Sequence, residues 1–401
     1  MLKDCLEIFE AELERTKKRF GDSDRLILDE YILADGDYLV VEKNGEIRQC
    51  SVRMDKKTRT VERIPVDDKL YERICFYDYH SRLVSMDKPQ DTKKVIHSNS
   101  YLAFWVKWDS FDNGKLNEEA IDRYFDILKD PREKYKKSQD RKMYDYIAKK
   151  IGEVDQKKLE KNREWIKGHI FGLDELELNR KNYLKIFFAE EPKLYVQEEQ
   201  RYVMTKIFNK NDYNVKSADG VYGLPNNNMG LNAKKPYLDH KDRKCRLPIM
   251  ENSDKVMCKK KFFDYLMNLA SERRYNVYLP IDSEKKITAC KDDDENGIPN
   301  GFTGYKLRLK KEKNEAAIID ADYVMDYRDL LDRGFYMQNL VEVPEKYLED
   351  VRYGEISKRD TVRKLVDEVF FSKYYLKNIY TEPKDMKGIK DSGIRKGLLL
   401  Y

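Results

Sequence analysis

The chain has 401 residues, of which 38% are charged and 40% hydrophobic, and it carries a net charge of +5 at pH 7. That length exceeds the roughly 250 residues one hydrophobic core serves, so more than one domain is expected, and the apolar content excludes a disordered polymer. No apolar run approaches the about 20 residues a membrane helix needs, and the start Met1-Leu2-Lys3-Asp4 lacks an apolar signal core, so the cytoplasm is the expected location and no membrane partner is expected.

Leu2 to Phe20 has the apolar spacing of an amphipathic helix. Asn44-Gly45, set between the strand-like runs of Tyr38 to Ile47, signals a hairpin. The aromatic and β-branched run Val95-Ile-His-Ser-Asn-Ser-Tyr-Leu-Ala-Phe-Trp-Val-Lys107 reads as one mostly buried strand leading to a turn at Asp112-Asn113-Gly114. A capped helix follows from Asn117 to about Leu128. Between Asp130 and Lys167 the sequence predicts largely solvated helices, with Tyr144, Ile147, Ile151 and Leu159 as a thin apolar stripe.

Tyr183 to Phe188 is strand-like again, and Gly220 to Asn232, with three glycines, one proline and four asparagines, reads as an irregular loop. Ser253 or Asp254 is placed to cap a helix whose apolar face uses Phe262, Phe263, Leu266, Leu269 and Ala270. The period-two run Tyr305 to Lys310 predicts a strand that buries Tyr305, Leu307 and Leu309 and lines Lys306, Arg308 and Lys310 on its other face. Asp360 is placed to cap a C-terminal helix built on Val362, Leu365, Val366, Val369 and Phe370.

The positive charge is concentrated. Residues 234–261 hold ten Lys or Arg against four acids, residues 129–164 hold thirteen against eight, and everything else carries −6. Such a footprint on an otherwise acidic body suits a polyanion, and nucleic acid is the expected partner. The basic stretch directly follows the asparagine-rich loop. Asn226, Asn227, Asn228, Gly230 and Asn232 can approach base edges, while Lys234, Lys235, Arg243, Arg246, Lys259 and Lys260 can neutralise phosphates. Lys255 and Lys259, one helical turn apart, repel unless an anion docks between them. Lys306, Arg308 and Lys310 form a second candidate, a cationic ladder for a nucleic-acid backbone.

Catalytic and metal signatures are sparse. No phosphate loop, nucleophile elbow or His-Glu-x-x-His occurs, and His80, His97, His169 and His240 are far apart. The six cysteines include no Cys-x-x-Cys pair, so reduced thiols are expected, and Cys245, Cys258 and His240 lack the paired spacing of a zinc site. Asp292, Asp294, Asn296 and Gly297 begin like a calcium loop, but Thr303 stands where a bidentate Glu is required. Neither metal nor cofactor is expected. The rival reading is a stand-alone metal-dependent nuclease with a carboxylate site, which would have no legible spacing.

Tyr222-Gly-Leu-Pro-Asn-Asn-Asn-Met-Gly-Leu-Asn-Ala-Lys-Lys-Pro-Tyr-Leu238, followed by Arg243, Pro248 and Phe263-Asp-Tyr-Leu266, resembles the central signature of the large subunit of type I-B CRISPR surveillance complexes (Cascade). The block from Val95 to Lys107 is similar to that family's N-terminal strand region. The resemblance implies a non-catalytic subunit that contacts the guide-RNA handle, recognises the protospacer-adjacent motif in double-stranded target DNA, meets the Cascade backbone subunits and helps recruit the helicase-nuclease. It implies a mixed α+β fold of irregular, multi-region large-subunit architecture with a helical C-terminal part. The expected regions are residues 1–128, mixed α/β; 129–175, a charged helical segment; 176–330, central, basic and nucleic-acid-binding; and 331–401, C-terminal and helical. Relatives usually continue further, so the last region is expected either to be truncated or to dock its apolar end Gly397-Leu-Leu-Leu-Tyr401 on another surface.

Overall fold

Helix α1 (Leu2–Phe20) has the bounds its apolar spacing predicts and buries Cys5 and Phe9. The computed structural model describes residues 1–55, 61–64, 67–82, 91–209, 211–225, 250–291, 298–311, 316–337 and 354–362, except the side chains of 174, 175 and 337. The protein is mixed α+β and divides into two compact units: Leu13–Glu272 with Lys311–Ala317, and Met1–Glu12 with Arg273–Lys310 and Ile318–Tyr401. The boundaries expected at 128 and 175 therefore fall inside one unit.

In the larger unit, α2 (Arg25–Leu28) precedes β1 (Gly36–Val41) and β2 (Ile47–Met54), which pair antiparallel with Val41 opposite Ile47. The Asn44-Gly45 turn thus forms where its chemistry predicts, with Gly45 in the left-handed region at φ 89°. β3 (Val61–Ile64), α3 (Asp68–Ser81) and β4 (Ala103–Lys107) follow.

The single strand expected from Val95 to Lys107 is instead doubled back. Ile96 bridges Val106, the His97 amide donates to the Trp105 carbonyl at 2.7 Å, and the Ala103 amide donates to Ser100 across the reversal. Ser98 Oγ accepts the Trp105 amide, and Ser100 Oγ accepts the Leu102 amide. These short polar side chains offer the backbone an alternative to a straight ladder.

Next come α4 (Trp108–Asp112) and α5 (Glu118–Lys129), whose Asn117 cap accepts the Ala120 amide. The charged stretch folds into a 3-10 turn (Pro131–Lys134), α6 (Ser138–Ile151) and α7 (Gln156–His169). Tyr144, Ile147 and Leu159 are buried as its stripe predicts, and Ile151 is half-buried. β5 (Tyr183–Phe188) then runs parallel to β1, completing a five-stranded sheet in the order β3-β2-β1-β5-β4. Successive strand residues face opposite sides. Phe187 meets Tyr77 of α3, while Phe104 meets Tyr124 of α5 and Phe188 meets Trp165 of α7, so the sheet is covered on both faces.

Such burial leaves no water for charges, and Lys185 and Asp37 find their partners within the protein, one in an ion pair and one in hydrogen bonds. Lys185 in β5 reaches Asp78 of α3 at 2.5 Å and lies 4.0 Å from the Trp105 ring. Asp37 accepts from Ser51 Oγ, Trp108 Nε1 and the amides of Asn179 and Arg180.

α8 (Pro192–Val203), β6 (Val215–Ser217), β7 (Gly220–Gly223), β8 (Glu251–Asn252) and α9 (Ser253–Ser271) complete the larger unit. The smaller unit contains a sheet in the order β10-β9-β11-β12, from β9 (Asn276–Pro280), β10 (Thr288–Cys290), β11 (Phe302–Lys311) and β12 (Ala316–Tyr327). It also holds the pair β13 (Phe335–Met337) and β14 (Gly354–Ile356). The helix expected from Asp360 lies outside the described residues beyond Val362, as do Asp292 to Gly297 of the acidic turn.

Candidate nucleic-acid interface

Gly220 to Gly223, expected as the start of an irregular loop, is strand β7, the centre of the sheet β6-β7-β8. Tyr222 stands opposite Asn252 and Gly223 opposite Glu251. Phe208 bridges Pro225, and the Asn209 amide donates to the Leu224 carbonyl at 2.8 Å. Asn226, Asn227, Asn228, Gly230, Asn232, Lys234, Lys235, Arg243 and Arg246 lie outside the described residues, but the stretch that carries them is joined at both ends to this small sheet.

Gly223 serves the packing of the small sheet. A Cβ there would sit 2.6 Å from the Phe208 ring and 2.5 Å from Asn214 Oδ1, so glycine is required for packing. The helix cap also shifts by one residue: Asn252, rather than Ser253 or Asp254, accepts the Asp254 amide at 2.8 Å.

The lysines of α9 depart most from the expectation. Lys255 is exposed, but Lys259 is 7% exposed and bound to both oxygens of Glu251, the second at 2.6 Å, so the Lys259 ammonium already has a carboxylate partner within the fold. Lys260 is 4% exposed, 2.8 Å from Asp264 Oδ2 and 3.4 Å from Glu199 Oε1. Lys261 pairs with Asp24. The same cluster takes in Arg82, 2.6 Å from Asp264, and His80, whose Nδ1 is 2.7 Å from Glu199.

Burial would raise the Asp264 carboxyl, but the Arg82 and Lys260 cations outweigh it and hold it below the usual carboxylate range. Glu199 is likewise lowered, by Lys260 and His80 against burial. The network ties α9 to α3, α8 and the cap of α2. Lys259 and Lys260 are therefore interior struts of the frame, and sequence periodicity could not show the carboxylates awaiting them.

On β11, Leu307 and Leu309 are buried as the alternation predicts, but so is Arg308, at 5% exposure. Its guanidinium donates to Asn276 Oδ1 at 3.1 Å and lies 5.6 Å from the Tyr275 ring. Lys306, Lys310 and Tyr305 are half-buried, and the Tyr305 hydroxyl donates to Asp4. The continuous cationic ladder is thus interrupted at its centre.

Sequence reading missed a basic aromatic face on α6. Tyr146 lies with Lys150 Nζ 4.7 Å and Lys216 Nζ 5.5 Å from its ring centroid, and exposed Lys142 stands one turn earlier. Lys216 is on β6 and exposed. The Lys142, Tyr146, Lys150 spacing was visible as a signal, whereas the approach of Lys216 was not.

No protein-family model, curated protein or solved structure matches the chain. Among the described residues no group of three or more His, Cys, Asp or Glu side chains is placed to hold a metal ion, and no helix is long and apolar enough to cross a membrane. Among the described residues Cys5, Cys50, Cys75, Cys258 and Cys290 form no disulfide. Burial raises Cys5 and Cys50 to about 11, away from nucleophilic reactivity.

Proposed function

We propose that this chain is a non-catalytic nucleic-acid-binding subunit of an RNA-guided antiviral complex of the type I-B CRISPR kind. In this reading it works in the cytoplasm, contacts the guide-RNA handle, recognises the protospacer-adjacent motif in double-stranded target DNA, meets the Cascade backbone subunits and helps recruit a separate helicase-nuclease. The protein reads only the short motif, and base pairing with the guide reads the rest.

One observation supports the reading: the basic, asparagine-rich stretch is joined at both ends to strands β7 and β8, which are hydrogen-bonded neighbours, and α9 behind them is anchored by a buried ion network. Recognition loops are most effective on a rigid scaffold. Asn226, Asn227 and Asn228 then meet base edges while Lys234 and Lys235 hold phosphates beside them.

The test is purification of the tagged chain from cells expressing the neighbouring CRISPR subunits. A small CRISPR RNA and the backbone subunits should accompany it, and the assembled complex should prefer motif-bearing duplex over a scrambled one. Replacing Asn226, Asn227 and Asn228 by Ala should abolish much of that preference, at about 1–3 kcal/mol per specific contact, with guide loading intact. Purification without RNA, or divalent-metal-dependent cleavage of DNA by the chain alone, overturns the reading.

A further inference from the structure

Helix α6 presents its apolar residues Met143, Tyr144, Ile147 and Ala148 to the interior, which leaves Lys142, Tyr146, Lys149 and Lys150 toward solvent. Its two carboxylates do not offset these cations freely. Asp145 is held by Arg132 Nε at 2.7 Å, and Asp140 accepts from Asn211 Nδ2 at 2.7 Å. Arg132 also engages Glu153, just beyond the helix, at 2.6 Å.

A second element adds to the face. Asn211 and Asn214, which precede β6, bond Asp140 and the Met143 sulfur of α6, and this places Lys216 beside Tyr146. The result is a half-buried phenol ring with two flexible ammonium groups close to it and two further exposed lysines along the same helix.

We propose that this face binds single-stranded nucleic acid, with an unpaired base stacked on Tyr146 and the flanking phosphates held by Lys150 and Lys216. The inference rests on the nucleic-acid-binding reading above and adds a second contact surface to it. A base within a duplex is already stacked on its neighbours and cannot reach a side-chain ring, so the aromatic at the centre of the patch selects unpaired strands. A lysine over a ring that is open to solvent on one side contributes less than a stacked base, so an arriving base displaces the ammonium groups from the half-buried ring, and they move to its phosphates. Both charges and ring are used once the strand is bound. Stacking and phosphate contact are indifferent to sequence, and the site accepts DNA and RNA alike.

The experiment measures binding of short fluorescein-labelled oligo(dT), oligo(U) and a blunt duplex to the full chain, for wild type, Tyr146→Ala, Tyr146→Phe and the Lys150→Ala/Lys216→Ala pair. Tyr146→Ala is expected to weaken both single strands by about five- to 150-fold and to spare the duplex, while Tyr146→Phe keeps near-wild-type affinity. The double lysine variant should reduce the log-log salt slope for single strands by about 1.4, or 0.7 per lost phosphate contact. Circular dichroism and melting temperature of each variant separate loss of binding from loss of fold. If Tyr146→Ala binds single strands like wild type, or loses duplex and single strand equally, the stacking site is overturned while the motif-reading function stands. If the folded wild-type chain binds no oligonucleotide in any arm, this inference falls, and the RNA copurification then decides the broader reading independently.

Discussion

Lys260 and Asp264, one turn apart on α9, bring opposite charges within 2.8 Å of each other, with Lys260 only 4% exposed. A buried pair of this kind adds little net stability relative to an apolar pair but is costly to break, because the surviving carboxylates remain out of water. Lys260→Met is therefore expected to destabilise the larger unit by about 3–5 kcal/mol in urea denaturation. A loss below about 0.5 kcal/mol would place Lys260 on the surface, where a phosphate contact becomes tenable again.

The same cluster sets an acid limit. Asp264 and Glu199 are both held below their ordinary values, so at low pH the unfolded chain binds more protons than the folded one. Their stabilisation is fully present above the ordinary carboxylate values of about 4 and is lost as pH falls through and below them. The melting temperature should be flat near neutrality and fall below about pH 5, and Asp264→Asn should start lower and fall less steeply. Parallel profiles for the two proteins would contradict the assignment.

Gly223→Ala drives a methyl group against the Phe208 ring and Asn214 Oδ1. The expected cost is about 1–3 kcal/mol, typical of overpacking. Because β7 carries one end of the basic stretch, faster amide exchange across β6, β7 and β8 should accompany weaker binding to motif-bearing duplex. Normal exchange with impaired binding would instead make Gly223 a direct contact.

Two sets of cations should separate by their salt dependence. Lys234→Ala with Lys235→Ala should lower the log-log salt slope of duplex binding by about one to two units. Arg308→Ala should leave that slope unchanged and cost about 1–3 kcal/mol of stability, since it removes the partner of half-buried Asn276 Oδ1 and the packing on Tyr275. A slope change for Arg308→Ala would return it to the nucleic-acid surface.

Features decided within a few residues were legible without the fold. The bounds of α1, the Asn44-Gly45 hairpin, the Asn117 cap of α5 and strand β5 depend on local periodicity and turn chemistry, and the structure has them where those rules place them. The apolar face of α9 also followed from spacing alone, with Phe262, Phe263, Leu266, Leu269 and Ala270 all buried. The reversal before β4 was missed because Ser98 and Ser100 act against the apolar signal around them.

The destination of each charge was decided only by tertiary structure. Lys255, Lys259 and Lys260 look alike in sequence, yet the first is exposed while the others meet Glu251, and Glu199 with Asp264. Alternation on β11 likewise could not reveal that Asn276 and Tyr275 cover Arg308, nor could α6 reveal Lys216 beside Tyr146. The sequence by itself determined which segments are helix or strand and where positive charge is dense, because those are local properties of the chain. Whether a cation faces solvent or a buried carboxylate depends on partners distant in sequence, and desolvation makes the two outcomes differ by several kcal/mol.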